Sequence, residues 1–290
     1  VPTSGAVSFS QYNGASIVYK YVISASTQNL DLFAYASSPQ RPATQNISQG
    51  YDQERRYVAN QPGYGIEFVI NPGVVIGSAT AAQNALVTGA DGASGWHPTV
   101  KILLKNQGTV VGAGGAGGQG NLMTGFTNGA AAGGGGTAIV AQRALVVQNQ
   151  GTVAGGSGGG GGGGYYQAGN FPQFSTWSGG GGGGGRGQSG GAAGQAGTYW
   201  TNGGPGQAGQ AGTFSAGGAG GAGGAVQAGA GGGGATPFPG GALGTAGQAG
   251  QTGASGPGNP GGAAGYYSKG DGNITWQEPG TRQGQVQPTV

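Results

Sequence analysis

Cysteine is absent from the 290 residues, histidine occurs once, and Asp, Glu, Lys and Arg together make up 6% of the chain. Without cysteine, neither a disulfide framework nor a thiolate metal site can form. Ordinary globular domains carry roughly 25% charged residues, so the usual solvated, charged surface is missing too. The net charge of +3 rests on ten basic residues spread along the chain. They form no basic patch, which argues against partnership with nucleic acid. No apolar run approaches the ~18 residues that span a bilayer, so membrane insertion is not expected. The opening Val1-Pro2-Thr3-Ser4-Gly5 has no basic or apolar leader region, and without an initiator Met it reads as a processed terminus or a fragment.

What the chain has in abundance is glycine, 77 residues of it, concentrated between Gly112 and Gly265. Ordering a glycine costs roughly 0.5–1 kcal/mol more backbone entropy than ordering an alanine. A flexible linker is therefore the default expectation. Three features oppose it. No Asp or Glu occurs between Asp91 and Asp271, whereas disordered segments are commonly rich in charge. The glycine runs are interrupted by large apolar residues such as Tyr165, Tyr166, Phe171, Phe174, Trp177, Tyr199 and Trp200. Many runs also keep a length of about 8–12 residues, as rods crossing a layer of fixed thickness would; at ~3.1 Å per residue in a three-fold extended helix, ten residues span roughly 30 Å. Such rods have no internal hydrogen bonds and must pair with one another. Collagen is rejected, because the G-x-y register at Gly206–Gly212 and Gly244–Gly256 breaks at Ser215 and Asn259 and proline is not enriched.

The fold class expected is mainly β plus irregular, with essentially no α-helix. Residues 1–111 read as an N-terminal β domain for attachment, 112–265 as a bundle or sandwich of polyglycine-II helices with exposed aromatic loops, and 266–290 as a C-terminal strand or tail. Within the first segment, Ser16–Ser24 alternates with period two and Leu30–Tyr35 is a second strand candidate. Ile66–Ile70 and Val74–Ile76 flank Asn71-Pro72-Gly73 and predict a hairpin. The polar stretch Pro39–Gly65 contains Asp52, Glu54, Arg55 and Arg56, a solvated loop or a docking surface. An internal repeat comes next: KILLKNQGTVVGAGG (101–115) and ALVVQNQGTVAGGSG (144–158) share Asn-Gln-Gly-Thr-Val between an apolar strand and a glycine run. A repeated unit of this kind implies stacked, solenoid-like packing.

Catalytic signatures are matched only trivially. Gly155-Gly156-Ser157-Gly158-Gly159 fits G-x-S-x-G, but no helix follows, and His97, the sole possible base, sits in a Trp-His-Pro turn. Gly-x-Gly-x-x-Gly recurs with no helix to receive a phosphate. Asp271-Gly272-Asn273 lacks the remaining ligands of a calcium loop. No enzymatic activity, cofactor or metal is expected. The aromatic islands at 121–128, 165–177, 198–202 and 236–239 combine Tyr and Trp with Asn, Gln, Ser and Gly, the composition of binding loops. They either cap the rods or recognise a partner. If successive rods alternate in direction and a turn at Arg186–Ser189 splits the long run 179–197, the first three islands fall at one end and the strand repeat at the other.

The strand-plus-glycine segments Asn106–Gly118 and Asn149–Gly164, with the alternation of glycine runs and loops that continues to about Gly265, resemble the receptor-recognising adhesins at the tips of T-even-type phage tail fibres and related glycine-rich phage tail proteins. The opening Pro2–Ser10 is similar to a segment of phage structural proteins. The resemblance implies a polyglycine-II sandwich, docking on a tail-fibre or tail-tip protein, location in the virion, and loops that bind a bacterial outer-membrane protein or lipopolysaccharide. By position, the receptor-binding residues it implies are Leu122, Met123, Phe126, Tyr165, Tyr166, Phe171, Phe174, Trp177, Tyr199 and Trp200. The rival readings are a structural or decoration protein without a receptor role, and an ice-binding protein, which would need a flat regular face.

Overall fold

The computed structural model describes residues 18–37, 65–92, 95–98, 100–121, 129–170, 173–198, 204–224, 228, 243–278 and 280–290. The strands wind through five turns, each turn giving one strand to each of three sheets. The first turn holds β1 (Val18–Ile23), β2 (Thr27–Gln28) and β3 (Leu30–Asp31), and is followed by α1 (Leu32–Ser37). The second holds β4 (Gly65–Ile70), β5 (Val75–Gly77) and β6 (Asn84–Val87). The third holds β7 (Lys101–Asn106), β8 (Thr109–Val111) and β9 (Thr137–Val140). The fourth opens with β10 (Leu145–Asn149) and β11 (Thr152–Ala154), and the hairpin β12 (Tyr166–Asn170)–β13 (Gln173–Trp177) intervenes before β14 (Tyr266–Lys269) completes it. β15 (Ile274–Glu278), β16 (Thr281–Gln283) and β17 (Gln285–Gln287) form the fifth. The sheets run β1-β4-β7-β10-β15, β2-β5-β8-β11-β16 and β3-β6-β9-β14-β17. Residues 137–154 and 266–287 thus extend the same three sheets that begin at residue 18. The molecule is mainly β, as its composition implied.

Every ladder in these three sheets is parallel. Parallel neighbours need a long crossover, and here the remaining two strands of each turn supply it. Inward-facing columns stack in register, for example Tyr21, Phe68, Leu104, Val147 and Trp276. The core they enter also contains Trp96, Ile76, Leu86 and Ile139, all fully buried. Tyr21 stacks on Phe68 at 5.4 Å, and Phe33 meets Trp96 edge-on at 5.1 Å.

Two local expectations are corrected. The segment around Asn71-Pro72-Gly73 is no hairpin: β4 and β5 lie in different sheets. Gly73 at φ +77° and the Val74 N–H bond to the Asn71 carbonyl turn the chain through a corner rather than back on itself. The strand expected at Leu30–Tyr35 stops after two residues. Asp31 Oδ1 accepts the Ala34 N–H at 3.0 Å, capping the backbone into α1. The charge cluster Asp52–Arg56 lies outside the described residues.

The NQGTV repeat is a corner repeated in two adjacent turns. Asn106 and Asn149 are in register and fully buried, with Asn106 Nδ2 donating to Asn149 Oδ1 at 2.8 Å. Asn149 Nδ2 donates in turn to the Thr281 carbonyl. Another corner is clamped by Arg143. Its buried guanidinium pairs with Asp91 at 2.7 Å, donates to the carbonyls of His97, Pro98 and Val100, and lies 5.9 Å from the Trp96 ring centre. Burial lowers its pKa from the ordinary arginine value, with Asp91 opposing the shift.

Between the second and third strands of turns three and four, the chain leaves the sheets in glycine-rich excursions at 112–136 and 155–265. Their bonds repeat every third residue. The N–H groups of Gly112, Gly115, Gly118 and Asn121 donate to the carbonyls of Ala154, Ser157, Gly160 and Gly163, while those of Gly114, Gly117 and Gly120 donate to Ser189, Ala192 and Gln195. The segment 155–164 is buried throughout. It donates to 245–251 through Gly158, Gly161 and Gly164, to 180–186 through Ser157, Gly160 and Gly163, and to 133–136 through Gly156 and Gly159. These bonds replace the side-chain packing that glycine cannot provide.

Candidate functional site

Hydrogen-bond partners fix the level at which each glycine segment ends. Asn121 bonds to Gly163, Gly197 to Gly179, Gly224 to Ser178 and Gly253 to Gly256, whose neighbour Ser255 bonds to Tyr165. The segments leading into and out of 122–128, 165–177 and 198–203 therefore reach a common end. A turn at 187–189 splits the long glycine run, with Gly191 bonded to Gly185 and Gly194 to Gly182. That turn sits at the opposite, strand-bearing end, where Gln188 packs over Gly77 and Gln28 Nε2 donates to Ser189 Oγ at 3.3 Å.

Three polar side chains pin this far end, and composition alone did not single them out. Asn121, fully buried, accepts the Gly129 N–H at 3.0 Å across the 122–128 loop and donates to the Pro257 carbonyl at 2.5 Å. Asn259 donates to the carbonyls of Gln119 and Gly129. Ser178 Oγ accepts from Gly206, and its backbone bonds to Gly204 and Gly224. Their signal in the sequence is an Asn or Ser standing where a glycine column ends.

Within the island 165–177, Tyr166–Asn170 and Gln173–Trp177 pair antiparallel, with Tyr166 opposite Trp177 and Gly169 at φ +92°. The Tyr166 and Trp177 rings stack at 5.3 Å and 20°, both half-buried. Tyr165 packs against Gly256, and the hairpin is tied to the turn at 254–256 by the Gln167 N–H bond to Ser255 Oγ at 3.0 Å. The structure thus brings Tyr165, Tyr166 and Trp177 together. Phe174 is placed only through its backbone in β13, and Leu122, Met123, Phe126, Phe171, Tyr199 and Trp200 lie outside the described residues. Gly204 lies beside Trp177: a Cβ there would be 3.6 Å from Cδ1, an ordinary contact.

Between residues 112 and 265 the sequence carries only two charges, Arg143 and Arg186. Arg143 is in the strand stack and Arg186 at the turn beside it, so this part of the chain brings no formal charge to the far end. Among the described residues no three His, Cys, Asp or Glu side chains converge as a metal site would need.

Binding residues are disproportionately carried on loops that a scaffold holds in position. A family model described as phage tail fibre adhesin Gp38 matches residues 19–287. The chain belongs to that family. It is a phage tail-fibre adhesin, and its place is in the tail fibre of the virion. The adhesin is also similar to a solved structure, the gp37–gp38 adhesin tip complex of the bacteriophage S16 long tail fibre. The identity is 20%, the TM-score 0.49, and the likeness covers 98% of this chain and 88% of that one. No curated protein matches the chain.

Proposed function

We propose that the adhesin recognises a bacterial outer-membrane protein or lipopolysaccharide through the loops at the far end of its glycine segments. The observation that carries this reading is the common level of the loop ends, pinned by Asn121, Ser178 and Asn259. The glycine segments act as polyglycine-II helices: the three-residue repeat of their bonds supports this, and ~3.1 Å per residue sets the loops roughly 30 Å from the strands. Contact residues are Leu122, Met123, Phe126, Tyr165, Tyr166, Phe171, Phe174, Trp177, Tyr199 and Trp200. The stack of three parallel sheets forms the attachment module facing the tail fibre, and the glycine excursions form the receptor-facing module. Holding the loops in place before contact reduces the ordering entropy that binding would otherwise cost.

Purified adhesin should compete with phage for adsorption to host cells. The double substitution Tyr166→Ala and Trp177→Ala should remove that competition while the thermal midpoint stays near that of the parent protein. Retained competition by a folded double variant would overturn the assignment of the hairpin, and absence of competition by the parent protein would favour a purely structural role. Because the loops carry no formal charge, competition should change little between about 50 and 300 mM salt, where Debye screening alters exposed ion pairs.

A further inference from the structure

A cavity of about 300 Å³ opens at the joint between strands and glycine segments, away from the loop cluster. It is lined by Thr109, Thr152, Thr281, Gln283, Arg186, Phe214 and Leu243. The three threonines share one register position in β8, β11 and β16. Thr109 and Thr152 each precede a fully buried valine (Val110, Val153) and Thr281 continues their register, so the threonines form a hydroxyl ladder on the outer face, spaced at about 4.8 Å by the sheet. Arg186 is held at the rim by its Nε bond to the Phe214 carbonyl at 2.8 Å. Phe214 is one of the exposed large apolar residues, at 41%, on a turn closed by the bonds between Thr213 and Ala216. Leu243 is buried against Val111 and Ala154 and gives the cavity an apolar wall. None of these described lining residues is a carboxylate.

We propose that this cavity is a second binding site, for an acidic monosaccharide unit such as a hexuronate. Each part of such a ligand meets a matching group. The carboxylate takes the Arg186 guanidinium, ring hydroxyls exchange hydrogen bonds with the threonine ladder and the Gln283 amide, and the apolar ring face rests on Phe214. Partial burial lowers the Arg186 pKa from its ordinary value. The volume falls at the small end of the range for small-molecule sites, which suits a single sugar ring.

The test is calorimetric titration of the full chain with methyl β-D-glucuronide, with methyl β-D-glucoside as neutral counterpart and inorganic phosphate as bare anion. The glucuronide should bind about tenfold or more tightly than the glucoside, the range expected for one charge-assisted hydrogen bond. Phosphate should neither bind comparably nor compete. Arg186→Gln should abolish the preference for the acid, and Thr152→Val should weaken both sugars, each with an unchanged thermal midpoint. The proposal is overturned by equal affinity for the two sugars, by phosphate binding as well as the glucuronide, by no glucuronide binding at 20 mM, or by an unaffected Arg186→Gln protein. The Tyr166→Ala/Trp177→Ala protein should bind glucuronide normally. Loss there would place the sugar at the loops instead and refute this site while leaving the loop reading intact.

Discussion

Gly159→Ala adds one methyl group to the most enclosed glycine segment. An ideal Cβ at Gly159 would lie 1.9 Å from the Ala116 carbonyl oxygen and 2.4 Å from its carbon, where 3.4 Å is ordinary contact. Backbone, not a flexible side chain, occupies the space, so segments 112–121 and 155–164 must separate by on the order of 1 Å at this level. That displacement strains the Gly133 N–H bond to the Ala116 carbonyl at 2.8 Å and the Gly159 N–H bond to Gly133 at 3.0 Å. Leaving a buried backbone group unpaired costs about 1–3 kcal/mol each, so two give a loss of about 2–6 kcal/mol. Alanine's lower unfolded-state entropy opposes this by only ~0.4–1 kcal/mol. Gly134→Ala is the matched control: its Cβ would meet only the Ala263 carbonyl oxygen, at 3.5 Å. It should be neutral or stabilise by up to ~1 kcal/mol. Differential scanning calorimetry should lower the Gly159→Ala midpoint by roughly 5 °C or more, on about 2–4 °C per kcal/mol for chains of this size class, and leave the control within about 2 °C of the parent. Equal midpoints for the two variants would refute the claim that backbone contact, rather than glycine content, holds this region together.

Two further substitutions probe the strand stack. Asn149→Ala removes the acceptor for Asn106 Nδ2 and the donor to the Thr281 carbonyl in a fully buried position; urea unfolding should show a loss of about 2–3 kcal/mol. Arg143→Ala removes the donor to the carbonyls of His97, Pro98 and Val100, of which His97 keeps the Val100 N–H, and removes the Asp91 pair, a loss of about 3–5 kcal/mol. Arg143→Lys keeps the charge but cannot span three carbonyls, so it should recover only part of that loss in the same assay.

The strands were legible in the sequence; their mutual direction was not. Ser16–Ser24 carries apolar residues on both faces, a pattern that parallel, doubly covered strands share, yet a Pro-Gly corner signals a change of direction without fixing its angle. The next turn of the coil sets that angle: Val75–Gly77 has no room to return on β4, because β7 occupies the neighbouring position through Phe68 and Leu104. The one repeat that revealed the stacking was NQGTV, since it preserves a corner as well as a strand. At the loop end, Tyr165, Tyr166 and Trp177 stood out by contrast with glycine, whereas Asn121 and Asn259 showed only as the start of an island and a break in register, and Ser178 not at all. Their importance lies in carbonyls more than a hundred residues away in two cases, and no local pattern encodes such a partner.

The glycine segments carry more positional information than their monotony suggests. Bonds that recur every third residue sort a segment into three columns of residues, and a column facing another backbone has no space for a Cβ. The number of glycine columns therefore counts the covered faces. Segment 155–164 has glycine in every column, Ser157 excepted, and is buried along its whole length. Segment 112–120 has two glycine columns; the third holds Ala113, buried beside the strands, the exposed Ala116 and the half-buried Gln119, so it is uncovered only beyond the joint. In 206–212 only Gly206, Gly209 and Gly212 are glycine, and they alone are partly buried while Gln207, Ala208, Gln210 and Ala211 are exposed. Adding a Cβ at those three would drive it into the carbonyls of Gly179, Gly182 and Gly185. The G-x-y stretches that imitate collagen are thus the outermost segments of the stack, and the pure glycine runs are its interior. A scaffold specified this way places almost no demand on the loops that join its segments, and those loops can change sequence while the backbone contacts that hold them stay the same.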